Sequence, residues 1–83
     1  MLKTTVDLSA YLPIGRGKAA EIAGVAGRFQ SMATLENNGI VLNAKSMIGL
    51  LSQSVSKDGK MVLVVSGVDE EAAMEAILDV LKG

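Results

Sequence analysis

Met32-Ala33-Thr34-Leu35-Glu36, Asn37-Asn38-Gly39 and Ile40-Val41-Leu42 form the stretch that decides the fold. Two short extended runs flank an Asn-Gly pair, and Asn-Gly tolerates the positive backbone angles that a tight hairpin turn needs. An antiparallel strand pair is therefore expected in the middle of the chain.

Upstream of this hairpin, Ala19, Ile22, Ala23, Ala26 and Phe29 recur at helical spacing. They predict a helix of about three turns that buries this face and ends at Gly27. Gly24 weakens its interior by about 1 kcal/mol relative to alanine. Tyr11-Leu12-Pro13 reads as a loop, and Gly15 and Gly17 keep the backbone free before the helix. At the start, Leu2, Thr4 and Val6 alternate with Met1, Lys3, Thr5 and Asp7, the period of a first strand.

Downstream, Ser46 to about Gln53 predicts a short helix with Ser46 as its N-cap. Asp58-Gly59 marks a turn, and the mostly β-branched run Met61 to Ser66 a fourth strand. The last helix opens at Asp69-Glu70-Glu71, acids where the helix dipole favours them. Its inward face is Ala73, Ala76, Ile77, Val80 and Leu81, while Met32, Met61 and Met74 read as packing residues. The order β-α-β-β-α-β-α makes residues 1–83 a single α+β domain. The expected architecture is an open-faced β-sandwich, a four-stranded antiparallel sheet with three helices on one face.

Composition narrows the chemistry. With 49% apolar residues, 83 residues can close one core. There is no cysteine, hence no disulfide framework, thiolate metal site or thiol nucleophile. There is no histidine either, so a general base near neutral pH would require a retuned carboxylate or lysine. A net charge of −1 and two aromatics, Tyr11 and Phe29, argue against direct nucleic-acid binding. The apolar run Met61 to Val65 is far shorter than the roughly 20 residues of a membrane span. Polar Lys3, Thr4, Thr5 and Asp7 stand where a signal peptide is apolar, so a cytoplasmic protein without cofactor or metal is expected.

Three polar features are candidates for function. In Asn43-Ala44-Lys45-Ser46-Met47-Ile48-Gly49-Leu50-Leu51, Ser46 combines a hydroxyl with a helix start. As a plain N-cap it contributes about 1 kcal/mol. Phosphorylated, it would carry about −1.5 to −2 charges beside Met47, Ile48 and Leu51, which read either as core or, with Leu50 as the inward residue, as a face for a partner; Lys45 is adjacent. Gly15-Arg16-Gly17-Lys18 is a basic helix start able to meet a simple anion or an acidic partner, with Arg28 nearby in sequence. It is not a P-loop, because Leu12 and Ala19 fail the two outer positions of that motif. Asp69, Glu70 and Glu71 read as helix-start acids without converging ligands.

The Asn-x-Lys-Ser-x-x-Gly pattern, the first-helix set Ala19, Ile22, Ala23, Ala26 and Phe29, and Ser66-Gly67-Val68-Asp69-Glu70 together resemble the HPr family of the bacterial sugar phosphotransferase system. The likeness covers essentially the whole chain. It departs at the family's catalytic stretch, Gly-Ile/Leu-His-Ala-Arg-Pro-Ala, where this chain has Pro13-Ile14-Gly15-Arg16-Gly17-Lys18-Ala19. By that correspondence Gly15 stands at the histidine position, Gly17 at the arginine and Lys18 at the proline, so no histidine relay is expected. The pattern is similar to the catabolite-repression HPr-like branch, Crh, which lacks the histidine and keeps the serine; Crh usually has glutamine where this chain has Gly15. What the resemblance implies is a non-enzymatic regulator phosphorylated at Ser46 by an HPr kinase/phosphorylase and then bound by a carbon-catabolite transcription regulator. Its partner-binding residues would be Arg16, Lys18, Lys45, Met47, Ile48 and Leu51. The alternatives are a small anion- or metabolite-binding module using Gly15–Lys18, or an interaction subunit that has lost both phosphorylation roles.

Overall fold

The computed structural model describes residues 1–8, 15–37, 39–52 and 60–82. The expected loop at Tyr11-Leu12-Pro13, the turn at Asp58-Gly59, Gln53 and the central Asn38 of the hairpin lie outside them. Among the described residues, seven elements run in the expected order: β1 (Leu2–Asp7), α1 (Arg16–Ala26), β2 (Met32–Asn37), β3 (Ile40–Asn43), α2 (Met47–Ser52), β4 (Lys60–Ser66) and α3 (Glu70–Lys82).

The strands form one antiparallel sheet in the order β1-β4-β2-β3. Hairpin β2–β3 pairs Asn37 with Ile40, and Gly39 adopts the left-handed φ of 82° that the turn requires. β4, the last strand made, inserts between the first two: Leu63 faces Thr4 on one side and Leu35 on the other. This register puts Val6, Leu63, Val65, Ala33, Leu35 and Leu42 into the core beneath the helices. Period-2 alternation leaves Lys3, Thr5, Thr34, Glu36 and Val41 on the opposite, open face.

The helices seal the inner face. α1 contributes Ala19, Ile22 and Ala26, small residues that let it approach closely. Ala23 is half-buried, and Phe29 packs from beyond the helix end rather than from within it. Gly27 caps α1 in right-handed geometry, φ −68°, so this helix ends without a left-handed residue. From α3 come Ala73, Met74, Ile77 and Leu81, with Ala76 and Val80 half-buried at the margin. Met61 and Met74 are core residues, but Met32 is not: its side chain is 68% exposed on the open face, because Ala33 and Leu35 hold the inward positions of β2. Leu8, fully buried just past β1, continues the phase of Leu2, Thr4 and Val6 into the core, one residue beyond the expected end of the strand.

The acids at the start of α3 do more than complement its dipole. Asp69 reaches the α1–β2 connection, where Gln30 N–H donates to Oδ2 at 2.8 Å and Ser31 N–H to Oδ1 at 2.9 Å. The buried Ser31 hydroxyl donates to the same Oδ1. Glu70 accepts from Gly67 N–H and, at 2.9 and 3.0 Å, from the Met1 amino group.

The Ser31 hydroxyl foremost, then the Gln30 and Ser31 backbone N–H groups, hold the Asp69 carboxyl below its ordinary pKa of 3.8. A folded-state pKa below the unfolded one gives stability that is present above 3.8 and is lost as pH falls through the folded value. Asp69→Asn keeps one acceptor oxygen but turns an amide N–H towards the other side of the clamp and removes the charge, so its melting temperature is expected to fall at pH 7. The gap to wild type should narrow below about pH 3.8. A gap that stays constant from pH 7 to pH 2.5 in parallel thermal melts would refute the charged clamp.

Candidate functional site

β3 hands the chain to α2 through a tightly bonded corner. Ala44 is buried and donates to the Ala33 carbonyl at 2.9 Å. Asn43 organises the turn: its Oδ1 accepts from Lys45 N–H at 2.9 Å and its carbonyl from Ser46 N–H at 3.0 Å. The Lys45 ammonium donates to the Phe29 carbonyl at 2.9 Å, tying this corner to the turn after α1. Lys45 is thus turned to backbone, not to Ser46.

Ser46 caps α2. Its carbonyl accepts from Leu50 N–H and its Oγ from Gly49 N–H, both at 3.0 Å. A half-buried hydroxyl is in this way held at one point, with its own proton free to be donated or removed. Leu50 is buried, which fixes the roll of the helix. The same roll turns Ile48 out to 76% exposure, Met47 to 41% and Leu51 to 36%. A phosphorylatable oxygen and an apolar patch therefore share one short element, as the sequence suggests.

The basic stretch is arranged differently. Gly15 precedes α1 in extended backbone, φ −87° and ψ 171°, and offers no side-chain cap. Arg16 is exposed on the first turn. Lys18 bends back along the molecule, donating to the Val80 carbonyl at 3.1 Å and lying 3.6 Å from Glu21 Oε2. Its cation meets the negative end of α3 and not an open anion site. Pro13 and Ile14 of this stretch lie outside the described residues. A groove of about 450 Å³, lined by Thr5, Glu36, Val41, Val62 and Val64 among others, lies on the open face of the sheet, away from Ser46. Among the described residues no carboxylate cluster forms a metal site, and no helix is long and apolar enough to cross a membrane.

Two contributions were not visible in the residue pattern. The Asp69 clamp joins residues 38 and 39 positions apart, and the Lys45 ammonium selects a carbonyl 16 positions away. Neither leaves a periodic signal. Gly49 was visible only as the last letter of the serine motif.

Comparison with known proteins agrees with this fold. The family model described as "PTS HPr component phosphorylation site" matches residues 16–83. The HPr-like protein Crh of Bacillus subtilis is 34% identical over 77 residues, covering 93% of this chain and 91% of the relative. Crh of Halalkalibacterium halodurans is 32% identical over 78 residues, covering 94% and 93%. The crystal structure of HPr-C-His from Thermoanaerobacter tengcongensis superposes with a TM-score of 0.87 at 29% identity, over 99% of this chain and 92% of that one. In fold and in sequence over nearly its full length, this chain belongs to the HPr family and resembles its Crh members.

Proposed function

We propose that this chain is a regulator of carbon metabolism in phosphotransferase-system signalling, switched by phosphorylation of Ser46 and without a histidine relay. The observation that carries the reading is the capping geometry: Ser46 Oγ held by Gly49 N–H, next to exposed Met47, Ile48 and Leu51. The relatives named Crh support the regulatory role, and the absence of histidine from the whole chain removes the carrier role. Gly15, at the position of the family's histidine, has no atom that could hold a phosphoryl group.

The chemistry is a simple transfer. Ser46 Oγ attacks the γ-phosphorus of ATP, an O–P bond forms, and the bond to the β,γ-bridging oxygen breaks with its electron pair on ADP. The hydroxyl proton passes to a base of the kinase. The product sets a dianion beside an apolar patch, a surface that a partner with a basic rim and an apolar centre can distinguish from the free hydroxyl. The partners by family are an HPr kinase/phosphorylase and a carbon-catabolite transcription regulator, both met in the cytoplasm; no membrane or direct nucleic-acid contact is invoked.

Intact mass after incubation with ATP and an HPr kinase/phosphorylase tests this. One phosphoryl group is expected on the wild type and none on Ser46→Ala, which loses only the cap, about 1 kcal/mol. Wild-type protein that stays unlabelled beside a labelled known HPr would remove phosphorylation from the reading.

A further inference from the structure

Gly49 occupies the first turn of a helix only six residues long, where glycine is a poor choice. A turn does not require it there, and it carries no left-handed backbone angle. Close packing against another element does not explain it either. A Cβ built on Gly49 meets Ser46 Oγ at 3.3 Å, Ser46 Cβ at 3.4 Å and the Asn43 carbonyl at 3.9 Å. Those atoms belong to the cap itself. The glycines inside α1, Gly17 and Gly24, face open space by the same construction. What the missing side chain keeps clear is the surroundings of the Ser46 hydroxyl.

We infer that Gly49 determines whether Ser46 can act as a phosphoryl acceptor, by leaving open the volume through which the phosphoryl group reaches Oγ. The inference rests on the Ser46 reading above and adds a second residue to it. One lone pair of Oγ is occupied by Gly49 N–H, so the attack uses the remaining one. A hydroxyl tolerates a methyl group at 3.3 Å after a small shift. A phosphorus bonded to Oγ, with its three oxygens, needs more room than the hydroxyl, and a methyl group on residue 49 removes part of that room. The cap survives the substitution and the transfer does not.

Gly49→Ala and Gly24→Ala make the test, each compared with wild type for melting temperature and for steady-state phosphorylation by the same kinase with ATP. Both substitutions are expected to keep the fold; Gly24→Ala should raise the melting temperature slightly, since alanine is the better helix former, while at Gly49 that gain is offset by the 3.3 Å contact with Ser46 Oγ. Gly24→Ala should be phosphorylated as wild type. Gly49→Ala should lose about tenfold or more in kcat, with KM for the protein substrate within about twofold of wild type, because docking is intact and only the approach to the nucleophile is blocked. Unchanged kcat for Gly49→Ala overturns the inference while leaving Ser46 as the acceptor. A loss expressed only in KM overturns it too, because residue 49 would then belong to the docking surface. If wild type itself takes no phosphoryl group, the Ser46 reading fails first and the inference falls with it.

Discussion

Gly67→Ala is expected to destabilise the protein by about 3 kcal/mol, one of the two largest losses anticipated for single substitutions. Gly67 has a φ of 156°, in the region glycine favours, and sits where the end of β4 passes over the α1–β2 connection. A Cβ there would lie 2.6 Å from both the Cα and Oγ of Ser31 and 2.9 Å from its Cβ. Ser31 cannot retreat, because it is buried and its hydroxyl and N–H are both given to Asp69. The substitution therefore strains the backbone and disturbs the Asp69 clamp together. Thermal melts should place it about 15 °C below wild type. Gly39→Ala provides the contrast: φ is 82° but no atom stands within 4 Å of the added carbon, so only the backbone term of about 1 kcal/mol applies. Equal losses for the two variants would show that the contact with Ser31 is not tight.

Leu63→Ala is the second, at about 3–4 kcal/mol. Leu63 is fully buried in the middle of β4, where it stands opposite Thr4 of β1 and Leu35 of β2. Truncation leaves a cavity in the layer shared by sheet and helices, where Ile22, Leu35 and Ile77 are already closely confined. Since a domain of this size is stable by only about 4–12 kcal/mol, the variant should unfold at markedly lower urea concentration with an unchanged m-value. A change below about 1 kcal/mol would mean that the helices collapse onto the gap, contrary to a rigidly packed interface.

How far the sequence discloses this molecule depends on the range of each interaction. The hairpin at Asn37–Ile40 and the cap at Ser46 are local, and each was legible from two or three residues. The four strands and three helices follow from periodicity, and their order alone implies one sheet covered on one face. Met32 misled because a methionine beside an extended run looks like packing, whereas the phase of β2 turns it outward. Leu8 was missed because the strand was expected to end at Asp7, although Leu8 continues the phase of Leu2, Thr4 and Val6.

At the candidate site the same division holds. The inward Leu50 was legible, but spacing left Met47, Ile48 and Leu51 open between core and surface, and the roll of α2 in the folded chain decides it. The destinations of Lys45 and Lys18, the carbonyls of Phe29 and Val80, do not, because a flexible cation chooses its acceptor only when the fold brings one within reach. Asp69 is the sharpest case. In sequence it is one of three acids before a helix, and in space it is the only one of them that binds the Gln30 and Ser31 backbone.

The place of β4 between β1 and β2 also has a consequence for how the protein is born. β2 and β3 can zip together as soon as both have been made, but β1 has no partner until residues 60–66 exist. At translation rates of about 5–20 residues per second, the first strand waits on the order of 3–10 s for the last. During that interval Leu2 and Val6 are uncovered, interrupted by Lys3, Thr4 and Thr5, which make a poor surface for aggregation. Completion of the sheet is thus a late, single event in synthesis, and a chain that stops short of β4 leaves two strands without their neighbour instead of one.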